Sequence, residues 1–92
     1  MPYITEERRE FLANATEAEI AAEELSAGDM NYLISTLLDE WIAEKGLGYA
    51  SINEAIGVLE CAKLELYRRV AAPYEDNKKE QNGDVFTCNL NV

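Results

Sequence analysis

The fold is decided by residues 51–74, which read SINEAIGVLECAKLELYRRVAAPY. Ser51 and Glu54 have the spacing of a capping box, in which each side chain satisfies a free backbone N–H of the other residue. Pro73 cannot continue a regular helix without the loss of a hydrogen bond. The stretch therefore predicts one helix over about residues 52–72, roughly 30 Å long at 1.5 Å per residue.

The predicted central helix is apolar on more than one side. One stripe contains Ile52, Ile56, Leu59, Leu66 and Val70, and a second contains Val58, Cys61, Leu64 and Ala71, with Tyr67 beside it. A surface helix needs only one apolar stripe. We therefore expect this helix to be central to the fold or to an oligomer, with Cys61 as a small core residue.

A second long helix is predicted immediately before the central one. Between Met30 and Ile42 the apolar residues recur at i, i+3, i+4 and i+7, which is the pattern of one continuous helical face. Lys45 and Gly46 are typical of a helix C-terminus. Because the connection that follows is short, we predict a long antiparallel helical hairpin of about residues 29–45 and 52–72.

Two short helices are predicted near the N-terminus. Thr5 can cap a helix that ends at about Ala13, and Thr16 can open another that ends at about Leu25. The sequence leaves open whether these are two helices or one kinked helix. With the hairpin they predict a single all-α domain over residues 1–92, a small helical bundle.

The last ten residues differ from the rest of the chain. Asn82 and Gly83 form a turn signal, and residues 83–92 read as an extended tail. Apolar and polar residues alternate from Phe86 to Val92, which is typical of a strand. A disordered terminus is the alternative.

Composition excludes several classes of function. A net charge of −10 argues against general nucleic-acid binding, which needs basic residues to displace phosphate counterions. Residues 1–10 have no apolar core, so we expect no signal peptide there. No apolar run is long enough for a membrane span, and two isolated cysteines indicate reduced thiols. We therefore expect a cytoplasmic protein. The chain has no histidine, no metal-binding pattern and no phosphate-binding glycine loop, so we expect neither an enzyme nor a cofactor.

The candidate ligand-binding residues are Lys63, Tyr67, Arg68, Arg69 and Tyr74. Arginine offers a planar fork that suits phosphate, and tyrosine offers a ring on which a base can stack. A small nucleotide or another anion would fit this set. The alternative is a solvated face, in which Glu65 pairs with the two arginines and Tyr67 belongs to the core.

Four segments together resemble a known family. They are NYLI at residues 31–34, GLGYASIN at 46–53, IGVLECAKLELYRRVAAPYED at 56–76 and NGDV at 82–85. This combination resembles a family of small uncharacterised proteins of tailed bacteriophages. The resemblance carries no activity and no functional residues, but it implies a context, because small phage proteins of this size often block host defences.

Three functional hypotheses follow. The first is a non-enzymatic homo-oligomer that sequesters a small phosphorylated or cyclic nucleotide signal of host immunity, by analogy with helical phage proteins that do so. The second is an inhibitor whose acidic first half docks onto a basic host protein or mimics a nucleic acid. The third is a structural or assembly component of the phage particle.

Overall fold

The computed structural model describes residues 3–88, and all regular structure within them is helical. It contains four helices: α1 at Glu6–Asn14, α2 at Glu17–Ala21, α3 at Ala27–Lys45, and α4, a continuous 34-residue helix made of Tyr49–Leu66, Tyr67–Ala71 and Ala72–Asn82. The all-α prediction is confirmed. The chain divides into two compact units, Met1–Ile52 and Asn53–Val92. The single domain and the side-by-side packing of α3 and α4 stay predictions.

The two N-terminal helices begin where the sequence predicts. The Thr5 hydroxyl accepts a 3.2 Å hydrogen bond from the backbone N–H of Arg8, and the Thr16 hydroxyl accepts one of 3.1 Å from the N–H of Glu19. The helices are separate, which answers the question that the sequence left open. However, α2 ends at Ala21, short of the predicted Leu25.

An ion pair joins α1 to the start of α3. The Arg8 guanidinium binds both oxygens of the Asp29 carboxylate, through Nε at 3.1 Å and Nη2 at 2.9 Å. Its Nη1 lies 2.6 Å from Glu23 Oε1, just beyond the end of α2. One side chain therefore holds the three helices of the first unit together.

Asp29 also starts α3. Its carboxylate accepts the backbone N–H of Ser26 at 3.0 Å, while its own N–H donates to the Ser26 hydroxyl at 3.1 Å, which completes a capping box. The residue is only 5% exposed. Hydrogen bonds from Arg8 and then from Ser26 lower the pKa of Asp29 from 3.8 to about 2.

The start of α4 differs from the prediction. The helix begins at Tyr49, so Ser51 lies inside the first turn and is not the N-cap residue. The buried Ser51 hydroxyl accepts the backbone N–H of Gly48 at 3.2 Å. It also lies 2.8 Å from the carbonyl oxygen of Gly46 and 3.0 Å from that of Gly48. Ser51 therefore fixes the connection between α3 and α4 instead of capping a helix.

The end of α4 is also corrected. The helix continues through Pro73 to Asn82 and does not stop at residue 72. Gly83 ends it with a φ of 89°, a conformation that glycine adopts without strain. Residues 83–88 form no strand. The remainder of the strand predicted for Phe86 to Val92, residues 89–92, lies outside the described residues.

Few apolar side chains are buried. Among residues 3–88 only Leu12, at 3% exposure, and Ala55, at 4%, are buried hydrophobic residues. The apolar face of α3 is only half covered, since Trp41 is half-buried and Leu37 is exposed. Cys61 is exposed, so its assignment to the core is wrong. In the described part of the chain, no helix is long and apolar enough to cross a membrane.

We predict that Asp29→Asn lowers the melting temperature of the helices at pH 7. A neutral amide is a weaker acceptor than a carboxylate for the hydrogen bonds from the Arg8 guanidinium and the Ser26 backbone N–H. The pKa of Asp29 is depressed in the folded chain, so its contribution to stability is complete above about pH 4 and is lost as the pH falls towards 2. The variant should therefore show a weaker pH dependence in this window. Circular dichroism melts from pH 2 to pH 7 measure both effects.

Asp39→Asn is the matched control, because it removes the same charge from an exposed position of α3. Equal melting temperatures for the two variants at pH 7 would contradict a stabilising role for the Arg8–Asp29 pair.

Candidate binding site

The predicted ligand-binding residues surround a π-helical turn in α4. Over Tyr67–Ala71 the helix widens, and the backbone N–H of Ala72 donates to the carbonyl oxygen of Tyr67, five residues back. Pro73 follows at the start of the next α-helical segment. Its ring would clash with the carbonyl of the residue four positions earlier in a regular α-helix. The wider turn accommodates the proline, which explains why α4 does not end there.

Two of the three predicted cations are already paired with acids on the same helix. Lys63 Nζ lies 3.5 Å from Glu60 Oε1. Arg68 Nη2 lies 3.0 Å and 3.1 Å from the two carboxylate oxygens of Glu65. The Arg68–Glu65 pair is one of the two pairs that the solvated-face alternative predicts. Exposed i, i+3 pairs of this kind contribute only about 0.3–0.5 kcal/mol to stability. A phosphate can therefore replace the carboxylate as the partner of each cation at little cost.

Arg69 differs from its neighbours. Within residues 3–88 its side chain forms no ion pair and no hydrogen bond, and it does not share Glu65 with Arg68. The guanidinium is exposed and keeps all five N–H donors for an external acceptor. Arg69 is thus the member of the predicted set that the fold leaves open to a ligand.

Both tyrosines of the set are exposed. Tyr67 is 56% exposed and Tyr74 is 62% exposed, so Tyr67 is not a core residue. The ammonium of Lys78 lies 5.5 Å from the centre of the Tyr74 ring, within the range of a cation–π interaction. Lys78 is therefore a further cation beside the predicted residues. The sequence analysis does not select Lys78, because it ends the helix at about residue 72. In a helix that continues past Pro73, the i, i+4 spacing of Tyr74 and Lys78 is the signal that identifies it.

A groove of about 280 Å³ lies on one side of the π-turn, where residues 83–86 fold back along the helix. It is lined by Tyr67, Ala72, Glu75, Asp76, Lys79, Gly83, Asp84, Val85 and Phe86. Three carboxylates against one ammonium make it unfavourable for an anion. Of the five predicted residues only Tyr67 reaches it, and the other four are presented along the helix outside the groove.

The described residues contain no cluster of histidine, cysteine or acidic side chains suited to a metal ion. Every buried side-chain nitrogen or oxygen in this part of the chain has a hydrogen-bond partner. The arrangement that the structure offers is therefore a helix surface with one open guanidinium, two aromatic rings and two weakly paired cations. Such a surface can bind an anion, but the exposed side chains of one helix do not enclose it.

We predict that Pro73→Ala converts the π-turn into regular α-helix, because the new N–H can donate to the residue four positions earlier. The melting temperature of the helix should rise, since proline within a helix costs up to about 3 kcal/mol relative to alanine. Carbon-13 chemical shifts and amide exchange over Tyr67–Ala71 report the change.

Gly57→Ala is the control, because a Cβ at this helical position meets nothing within 4 Å. It should stabilise the helix by about 1 kcal/mol and leave the shifts of the π-turn unchanged. A π-turn that persists in Pro73→Ala would show that proline is not its cause.

The comparisons with known proteins identify a family but no activity. No curated protein and no solved structure shows a significant match to the chain. One family model matches residues 1–85, almost the whole chain. The chain therefore belongs to the family described as a domain of unknown function (DUF6899).

Proposed function

We propose that the protein is a non-enzymatic binding protein that captures a small phosphorylated ligand, such as a cyclic nucleotide, at the π-turn of α4. The observation that carries the proposal is the open guanidinium of Arg69 beside the exposed Tyr67 and Tyr74. Arginine binds phosphate through two parallel hydrogen bonds, and the tyrosine rings supply surfaces on which a base can stack. π-turns also occur frequently at functional sites.

Capture by this surface requires more than one copy of the chain. Ligand sites in proteins usually bury 70–90% of the ligand, whereas the five predicted residues lie on one exposed helix. A homo-oligomer supplies the missing walls, and the exposed apolar side chains of α4 favour such an assembly. The functional form in this proposal is therefore an oligomer that holds its ligand between subunits.

The biological setting is part of the proposal. The segments that resemble tailed-bacteriophage proteins favour a phage origin, and a chain without histidine favours sequestration over degradation of the ligand. We infer that the protein acts in the host cytoplasm by removing a nucleotide signal of host immunity.

We predict that Arg69→Ala abolishes nucleotide binding and leaves the assembly intact. The test is a thermal-shift and calorimetry screen of mononucleotides, linear dinucleotides and cyclic dinucleotides against the wild-type protein and the variant. Lys79→Ala is the matched control, since it removes a cation from the same helix outside the predicted set. A nucleotide-induced shift that survives Arg69→Ala would contradict the assignment, as would the absence of any shift in the wild-type protein.

A second candidate function rests on the charge of the first half. Residues 1–45 contain 11 acids and 3 bases, and most of these acids are exposed. Such a surface suits an inhibitor that docks onto a basic host protein. In that case binding to the host protein should weaken steeply between about 50 and 500 mM salt, because exposed charges are screened within about 10 Å at 0.1 M. Salt-independent binding would exclude it.

A further inference from the structure

The groove beside the π-turn lies wholly within the second unit and differs in chemistry from the predicted anion site. It has a volume of about 280 Å³, and residues 83–86 form one of its walls. Gly83 begins this wall with a φ of 89°, and the backbone N–H of Phe86 donates a 3.0 Å hydrogen bond to Oδ1 of Asp84. The groove is therefore formed by α4 and the segment that directly follows it.

The groove holds more negative charge than its own cation can neutralise. Three carboxylates line it together with one ammonium group, and these belong to Glu75, Asp76, Asp84 and Lys79. Within residues 3–88 the side chains of Glu75, Asp76 and Lys79 form no ion pair and no hydrogen bond. Asp84 uses one carboxylate oxygen for a backbone N–H and keeps the other open. The lining therefore has an excess of two negative charges.

Two aromatic rings complete the lining. Tyr67 comes from the π-turn and Phe86 from the segment after the helix, and their side chains are 56% and 76% exposed. The face of an aromatic ring attracts an organic cation, by about 0.5–1 kcal/mol at an exposed site. Rings and carboxylates in one groove therefore favour a ligand that carries both positive charge and apolar CH₂ groups.

The arrangement of the acids distinguishes an organic cation from a metal ion. In the part of the chain that the structure describes, no three acidic side chains converge where a metal ion could bind. Mg²⁺ and Ca²⁺ need several oxygens at about 2.0–2.6 Å from one point. A molecule whose positive charges are separated can reach separate carboxylates instead. We propose that the groove binds a small aliphatic diamine or polyamine, with its ammonium groups at the carboxylates and its CH₂ chain against the two rings.

The charge of the whole chain supports the same ligand. A net charge of −10 raises the local concentration of cations, most of all in a cleft lined by acids. A volume of about 280 Å³ lies just below the range of about 300–1,000 Å³ that is common for ligand pockets, which suits a small molecule. The inference goes beyond the proposed function, because this ligand has the opposite charge. Failure of nucleotide capture would leave it intact.

The first test titrates 1,4-diaminobutane into the full chain at about 20 mM salt, where exposed charges are weakly screened. The amide NMR signals of residues 83–86 should shift and saturate. Two control ligands are titrated at the same ionic strength: 1-aminobutane carries one charge, and Mg²⁺ carries two charges without CH₂ groups. Each should bind at least about fivefold more weakly than the diamine, because each lacks one of the two interactions.

The second test changes the groove one side chain at a time. Glu75→Gln should weaken diamine binding about two- to fivefold, and Lys79→Gln, which removes the competing ammonium, should strengthen it by a similar factor. Phe86→Leu keeps an apolar side chain without the ring and should weaken binding about two- to fivefold. Glu80→Gln is the matched control, since it removes the same charge from the same helix outside the groove. It should change the affinity less than about twofold.

Three outcomes would overturn the proposal. Signals of residues 83–86 that do not respond to the diamine would show that the groove is not a diamine site. Equal weakening by Glu75→Gln and Glu80→Gln would reduce the binding to a general attraction by the charge of the chain. A tetralysine peptide is titrated in parallel, and a response to the peptide without one to the diamine would assign the groove to a protein partner.

Discussion

A single helix cannot bury its own apolar side chains, and this constraint governs the second half of the molecule. Helix α4 carries apolar residues on several sides, yet Ala55 is its only buried apolar residue, and none of its large apolar side chains is buried. Burial of such side chains is the main favourable contribution to folding and association. A chain of this size already buries only about 60% of its unfolded surface, so it gains more from a partner than a larger domain would.

The first unit is held differently, by polar contacts at helix ends. Arg8 reaches acids at the end of α2 and at the start of α3, and Asp29 serves at once as its partner and as half of a capping box. Because the same carboxylate accepts hydrogen bonds from a guanidinium and from a backbone N–H, its charged form is strongly favoured. Short helices that could not persist alone are stabilised in this way by a few directed bonds.

Standard helix caps and stops are predicted well from the sequence, whereas departures from the standard rules and the burial of side chains are not. The caps at Thr5 and Thr16 and the stop at Gly46 depend on neighbouring residues, and the sequence predicted them correctly. Ser51 was misassigned because its hydroxyl binds the preceding glycines, a choice that capping statistics do not reveal. Pro73 was misassigned because the rule that proline ends a helix holds for a regular α-helix and not for a π-turn. Cys61 was assigned to a core because the sequence shows which side chains are apolar but not what covers them.

The candidate site, too, is only partly predictable from the sequence. The sequence selected the cations and tyrosines of α4, and it left two alternatives for the arginines. The structure pairs Arg68 with Glu65 and leaves Arg69 open, a distinction that depends on side-chain geometry within one turn. We propose that this protein works as an assembly built on α4. Native mass spectrometry of the purified protein, with and without added nucleotides, tests this proposal most directly. The proposal predicts an oligomer that gains a nucleotide-sized mass when its ligand is present, and a bare monomer would contradict it.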